Sequence, residues 1–449
     1  MSNAIEFPAD FLWGTATSAH QIEGSPLADG AGPSIWQRFS HTPNLTRDGD
    51  TGDIACDHYR RYAEDVALMR SLGTNAYRFS VAWARVMPDG RGKVNAAGLA
   101  FYDRLVDMLL ANGIAPMVTL FHWDLPAALD GGWQVRETAQ AFADYAGVVA
   151  RALGDRVPYF STLNEPAVVM FQGYIAGDHP PGQKSLRGLA HSLHVMHHLL
   201  LAHGWGAQAV RAAAPRAKIG ITNALGQVYP ATETEKDRAA AANAQQVNQM
   251  FLQPLVTGAY HKALMNGLLG LPKRIHPGDM QAIQTPIDFL GVNSYTRAKV
   301  KRVRFSLLGY EGVEPDPART EVTDMGWEVA PGAMYDLLMW VHREYPKLRI
   351  VVTENGAAYP DPAAVGADGV VDDVRRVSYL ERHLHQVQRA IVDGCPIDAY
   401  YVWSLLDNFE WTHGYGKRFG IVHVDYATQR RTIKQSGRWY ARLCRDRAL

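Results

Sequence analysis

Ser161-Thr162-Leu163-Asn164-Glu165-Pro166 is the stretch on which the reading of this sequence turns. A short apolar run enters it and a proline stops it directly after the carboxylate, the form of a buried strand handing over to a loop. Ile350-Val351-Val352-Thr353-Glu354-Asn355-Gly356 repeats the grammar with glycine in place of proline. Each of two strands thus delivers one Glu at its carboxyl end. The two lie far apart in the chain, so only the fold can bring them together. Two carboxyl groups in one site can divide acid work from nucleophilic work.

Outward from these segments, short apolar runs alternate with longer amphipathic ones. Strands are predicted over Phe11–Ala19, ending near Gln21, over Asn75–Ala82, carrying Arg78, and over Pro116–Phe121, running into His122-Trp123. Further strands are predicted over Pro158–Leu163, ending at Glu165, over Lys218–Thr222, ending at Asn223, and over Ile287–Val292, ending at Asn293-Ser294-Tyr295. The last two are Arg349–Thr353, ending at Glu354, and Ala399–Trp403. One-sided apolar spacing predicts helices over Tyr59–Leu72, Leu99–Leu110, Phe142–Leu153 and Tyr379–Ile391, with Gly73 and Gly154 as left-handed stops. Strands alternating with helices predict parallel pairing, a closed (β/α)8 TIM barrel, and an active site at the C-terminal ends of the strands. An open doubly wound sheet is the alternative, but no Gly-x-Gly-x-x-Gly follows the first strand. Without a low-complexity linker or charge block, residues 1–449 read as a single barrel domain, with Val300–Val322 and Tyr359–Val371 as its long loops.

Composition narrows the partners. Of 449 residues 47% are hydrophobic, and Lys+Arg and Asp+Glu both number 45. That balance argues against nucleic-acid or anionic-membrane partners, and no apolar run reaches membrane-spanning length. Cys56, Cys395 and Cys444 are too few and too scattered for a disulfide framework, and Met1–Glu6 shows no signal-peptide pattern. Both features favour a cytoplasmic protein. Nothing in the composition sets an oligomeric state.

Cleaving a glycosidic bond requires a proton for the leaving oxygen and stabilisation of a positively charged ring, and two flanking carboxyl groups supply both. Glu165, beside apolar and proline neighbours, suits the acid. Glu354 suits the nucleophile, with Arg78 and Tyr295, each read as a strand-end residue, to hold its charge. Either Glu alone would read as an ordinary strand-end carboxylate capping a helix or meeting a surface lysine. The pair, each beside an Asn after a buried strand, favours function. A rival cluster, His191, His194 and His198 with His197 and His203, has helical spacing. It lacks a carboxylate and a His-Glu-x-x-His pattern, so packed or solvated histidines are favoured over a metal site. Cys56 reads as a buried thiol.

Thr162–Pro166 and Thr353–Gly356 resemble the two signature motifs of the family-1 retaining β-glycosidases, typified by bacterial β-glucosidases. The resemblance spans essentially the whole chain, through Phe11–Gly24, Tyr77–Ser80, Phe121–Pro126 and Trp403–Trp411. It implies hydrolysis of terminal non-reducing β-D-glucosyl residues from aryl and alkyl β-glucosides and cello-oligosaccharides, with retention, through a covalent glycosyl-enzyme. Galactoside or fucoside hydrolysis, transglycosylation, or a non-catalytic sugar-binding barrel are the alternatives. It implies Glu165 as acid/base and Glu354 as nucleophile, with no metal or organic cofactor and a small glycoside as partner. It further implies Asn164 on the sugar 2-hydroxyl, Gln21, His122 and Trp411 on the 3- and 4-hydroxyls, and Glu410 on the 4- and 6-hydroxyls. Trp403 forms the floor under the ring and Trp327 the leaving-group platform, while Asn293, Tyr295 and Phe419 also line the site. For the three tryptophans core packing is the alternative, and for Gln21 and His122 a satisfied polar residue under a loop. Phosphosugar-specific relatives typically carry Ser at 410 and Tyr at 419, so Glu410 and Phe419 point to an unphosphorylated sugar, while Lys417 is shared with that branch. The sequence departs from the family pattern at Phe251–Pro254 and Gly258–His261, where an Asp at 253 and a Gly-Tyr-Pro run are expected. That puts helix packing, rather than catalysis, in question.

Overall fold

The structure, a computed structural model, describes residues 7–184, 188–262, 264–265, 271–304, 309–361 and 369–449. The reading of Met1–Glu6, part of each predicted long loop (305–308 and 362–368), and the side chain of His191 lie outside the described residues. Eight parallel strands close into a barrel in chain order. They are β1 (Leu12–Ala16), β2 (Ala76–Ser80), β3 (Ala115–Phe121), β4 (Tyr159–Asn164), β5 (Lys218–Ala224), β6 (Phe289–Asn293), β7 (Ile350–Asn355) and β8 (Ile397–Trp403). Helices between them form the outer layer, among them His58–Leu72, Ala96–Ala111, Glu137–Leu153, Gly188–Ala213 and Val374–Val392.

Side chains of a strand alternate between its two faces. In β8, Ala399, Tyr401 and Trp403 line the barrel interior, while Tyr400 and Val402 join the core under the helices. In β2 the same alternation puts Ala76 inside and Tyr77 and Phe79 outside. Arg78 is therefore an inward residue in the middle of β2, not the strand-end residue expected of it. β4 and β7 break the rule. Their registers slip between Ser161 and Asn164 against β5, and between Val352 and Glu354 against β6. A slipped register re-aims the side chains beyond it. Strict alternation from the inward Val351 would send Glu354 outward, and the slip turns it back into the barrel mouth.

Two local expectations are corrected. β1 stops at Ala16, and Ala19–Ile22 is a helical turn, so Gln21 is carried by that turn rather than by a strand. The Ala19 N–H leaves the ladder to bond Ser80 Oγ at 2.7 Å. Gly73 is left-handed as expected (φ 73°), but Gly154 is right-handed. Gly154 is needed for space instead, since a Cβ there would lie 2.3 Å from the Cβ of Ala214. The Val300–Val322 loop contributes to a small three-stranded sheet of Val228–Pro230, Ala298–Arg302 and Tyr310–Gly312. At the departure near residue 253 the helix Glu235–Thr257 runs on with Pro254 inside it, and Tyr260 packs back through its hydroxyl onto His197.

Candidate active site

Polar and aromatic residues from several barrel strands, and from the segments that follow them, meet around Glu354. Glu354 anchors the arrangement. Arg78 Nη1 lies 2.6 Å from its Oε1, and the Tyr295 hydroxyl donates to its Oε2 at 2.5 Å. Arg78 is fully buried, so this ion pair is shielded from solvent. Its second terminal nitrogen donates to Asn164 Oδ1 at 2.6 Å. Asn293 Nδ2 donates to the same oxygen at 3.1 Å and to Glu165 Oε1 at 2.7 Å. Thr353 Oγ1 holds Asn293 Oδ1 at 2.7 Å and so fixes the orientation of that amide. One hydrogen-bonded chain, Glu354–Arg78–Asn164–Asn293–Glu165, thereby ties both carboxylates into one network.

The two carboxylates differ in what surrounds them. Glu165 is buried and is held by an amide, that of Asn293, rather than by a cation among the described residues. Burial first, and the Glu354 charge second, push it up to about 8. Glu165 itself follows β4 with a left-handed backbone (φ 49°), held by its N–H on Thr222 O at 2.8 Å. Non-glycine residues in this region cost energy and cluster at working sites, and Trp123 and Trp411 share it here. The glycine that ends the other motif has a steric reason: a Cβ on Gly356 would lie 1.8 Å from the carbonyl oxygen of Trp403.

His122 has its ring Nε2 2.9 Å from Asn164 Nδ2. Because Asn164 Oδ1 already accepts from Arg78 and Asn293, its Nδ2 must be the donor and His122 Nε2 the acceptor. The proton then sits on His122 Nδ1, a buried atom with no partner among the described residues. Burial and the Arg78 charge hold this imidazole well below its usual range, so it is neutral. Gln21 accepts from Ser18 Oγ at 2.6 Å, and its Nε2 lies 3.1 Å from Asn408 Oδ1 and 3.2 Å from Glu410 Oε2. Glu410 is pushed up to about 8, first by burial and then by Glu354.

Two aromatic walls flank these polar groups. Trp403 stacks on His122 at 5.9 Å, and Tyr295, Trp327 and Phe419 pack together at 5.3–6.1 Å between ring centres. Opposite, Trp411 meets Trp36 at 4.5 Å and Trp123 at 4.6 Å. Lys417 is tied to Asp324 at 3.1 Å. Trp123 and Asn223 join the site without a role assigned from the sequence. Trp123 donates from its indole to Asn164 O at 3.0 Å, and both amide atoms of buried Asn223, at the end of β5, lack a partner among the described residues. Their strand-end positions were the only sequence signal for either.

The described members of the histidine cluster are packed within the helical layer. His197 bridges Tyr260 at 2.8 Å and Asp279 at 2.9 Å, His198 bonds Trp133 O at 2.9 Å, and His203 bonds Thr162 at 2.7 Å. Cys56, Cys395 and Cys444 are buried free thiols. No helix among the described residues is long and apolar enough to cross a membrane.

The sequence family described as Glycosyl hydrolase family 1 matches residues 3–448. Beta-glucosidase A of Acetivibrio thermocellus is 46% identical over 98% of this chain and 99% of its own. A bifunctional beta-D-glucosidase/beta-D-fucosidase of Bifidobacterium breve is 44% identical over 98% of each. The solved family 1 β-glucosidase of Thermotoga maritima superposes with a TM-score of 0.94 over 100% of both chains, at 45% identity. A Thermotoga maritima β-glucosidase in complex with deoxynojirimycin gives 0.93 over 99% of this chain and 100% of that one, also at 45% identity.

Proposed function

This chain belongs to glycosyl hydrolase family 1, and from that premise we propose that it is a retaining β-glucosidase acting on terminal non-reducing β-D-glucosyl groups. One observation carries the reading: two carboxylates on a single hydrogen-bonded chain, one matched to a cation and the other held above the usual carboxylate range. A glycosidase that works by double displacement needs that asymmetry.

In the first step Glu354 attacks the anomeric carbon while Glu165 gives its proton to the leaving oxygen. Arg78 and Tyr295 keep the Glu354 oxygens aimed and charged until the bond forms. Forming that bond removes the Glu354 charge, which is one of the causes that hold the Glu165 proton in place. Glu165 is then the better base: it takes a proton from water, the water attacks the anomeric carbon, and Glu354 leaves as carboxylate. No step needs a metal or an organic cofactor. The sugar lies over Trp403, with Asn164 on its 2-hydroxyl and His122 Nδ1–H donating to a ring hydroxyl. Gln21, Glu410 and Trp411 take the 3-, 4- and 6-hydroxyl edge. Trp327, Phe419, Tyr295 and Asn293 border the path to the leaving group. A carboxylate at 410 disfavours a 6-phosphate.

Residues 1–449 act as one catalytic unit in this reading, and the free thiols support a reducing, cytoplasmic setting. β-Fucoside hydrolysis is the second reading, favoured by the bifunctional relative. The test is turnover of aryl glycosides differing only in the sugar, with the first-formed product followed by NMR. The β-glucoside should be cleaved with the β-anomer of glucose appearing first. The α-anomer first, or no β-glucoside turnover, would overturn the reading.

A further inference from the structure

Around Asp407, in the loop that follows β8, a second charged cluster is buried. Lys434 is fully buried, and its ammonium lies 2.8 Å from Asp361 Oδ1 and 2.8 Å from Asp407 Oδ1. Arg418 Nη1 lies 2.8 Å from Asp407 Oδ2, His423 Nδ1 2.7 Å from Asp361 Oδ2, and the Gly420 N–H 3.0 Å from Asp407 Oδ1. Asp361, Asp407 and His423 alone would resemble a set of metal ligands. The Lys434 ammonium already bonds both carboxylates, so the cluster is an ion-pair node.

The node is joined to the sugar-facing side by a short path. Asp407 follows Trp403 and precedes Asn408, Phe409 and Glu410. Asn408 Nδ2 is fixed on Ser404 Oγ at 3.1 Å, and its Oδ1 accepts from Gln21, whose Nε2 also reaches Glu410 Oε2. The Asp407 N–H bonds Val422 O at 3.0 Å and the Lys434 N–H bonds Ile421 O at 3.0 Å, clamping the segment that carries Phe419. A buried ion pair often adds little net stability over apolar side chains of similar volume. Its use here is geometric: it sets where the Glu410 segment stands.

We infer that Lys434 is a positioning residue for sugar specificity, acting through Asp407 on Asn408, Gln21 and Glu410 to align the edge that reads the C6 hydroxymethyl group. The inference rests on the role given to Glu410 above. Its test compares kcat/KM for an aryl β-glucoside and the matching β-xyloside, which lacks that hydroxymethyl. The variants are Lys434→Met, the charge-balanced Lys434→Met/Asp361→Asn, which leaves Asp407 its Arg418 partner should the single change fail to fold, and Glu410→Ala. In the folded Lys434 variant, glucoside kcat/KM should fall about tenfold, mainly through KM, while xyloside kcat/KM changes less than about twofold. Lys434→Arg should restore part of the preference. If both substrates lose the same factor, or neither changes, while Glu410→Ala removes the preference, the Lys434 inference is overturned. If Glu410→Ala itself leaves the preference intact, the Glu410 role falls instead.

Discussion

The ends of β4 and β7 use the same device, a slipped register that turns a polar side chain into the barrel mouth, yet the carboxylates that follow stand in opposite surroundings. Glu354 meets a guanidinium and a phenol, whereas Glu165 meets an amide. The difference comes from other strands around the barrel mouth: Arg78 reaches Glu354 from β2 across the barrel and Tyr295 from beyond β6, while Asn293 at the end of β6 reaches past β5 to Glu165. Position at a strand end makes a carboxylate available, and the side chains that other strands send to the same mouth decide which chemistry it does.

The comparison breaks most sharply at Glu354. Glu354→Ala should lower kcat by at least about 10^4-fold, as removal of a nucleophile does. Added azide should restore turnover, with release of the inverted glycosyl azide seen by NMR. Turnover surviving without azide would remove the asymmetry between the two strands. At Glu165 the effect should be smaller and depend on the leaving group. Glu165→Gln should cost about 10^2–10^4-fold with poor leaving groups and much less with an activated aryl group. The parent enzyme should lose activity as pH rises through about 8, where the Glu165 proton is lost. That limb should be absent from the variant's pH–rate profile.

Tyr295→Phe sharpens the contrast by removing one of the two groups on Glu354. A hydrogen bond to a charged group is worth about 1.5–3 kcal/mol, so kcat/KM should fall about ten- to a hundredfold if the phenol holds Glu354 through the transition state. An unchanged rate constant would make Arg78 sufficient alone.

A stability measurement isolates the other strand. Glu165 has an ordinary value of 4.5 and a folded value of about 8. Below 4.5 the carboxyl is protonated in both states and contributes nothing. Between the two values it ionises when unfolded but stays protonated when folded, so it destabilises the fold progressively as pH rises, and the penalty levels off above about 8. Glu165→Gln should therefore match the parent's Tm at pH 4 and exceed it at pH 9. A constant Tm difference across that range would mean that burial does not control this carboxyl.

The barrel was legible because each strand is a short apolar run bounded by turn residues, and eight of them alternate with one-sided helices. The limits of β1 were not, because the apolar character of Phe11–Ala19 runs on into a helical turn whose first N–H is taken by Ser80 from another strand. Gly154 misled for a similar reason: its place after a helix suggested a turn, whereas the close approach of Ala214 is a tertiary fact. At the site, residues named from the sequence meet through hydrogen bonds and ring contacts, because strand ends in a parallel barrel share one face. The register slips that aim Glu354 and Asn164, and the Lys434 node at the β8 loop, leave no local pattern. Both depend on pairing between strands or segments distant in the chain.

The division of labour between β4 and β7 is tested most directly by inactivating the enzyme with an activated 2-deoxy-2-fluoro-β-glucoside and locating the label by peptide mass spectrometry. The fluorine slows breakdown of the glycosyl-enzyme, so the attacking side chain is trapped. The expected result is one sugar per chain, attached to the peptide containing Glu354. Label on Glu165, or on any other side chain, would contradict the account.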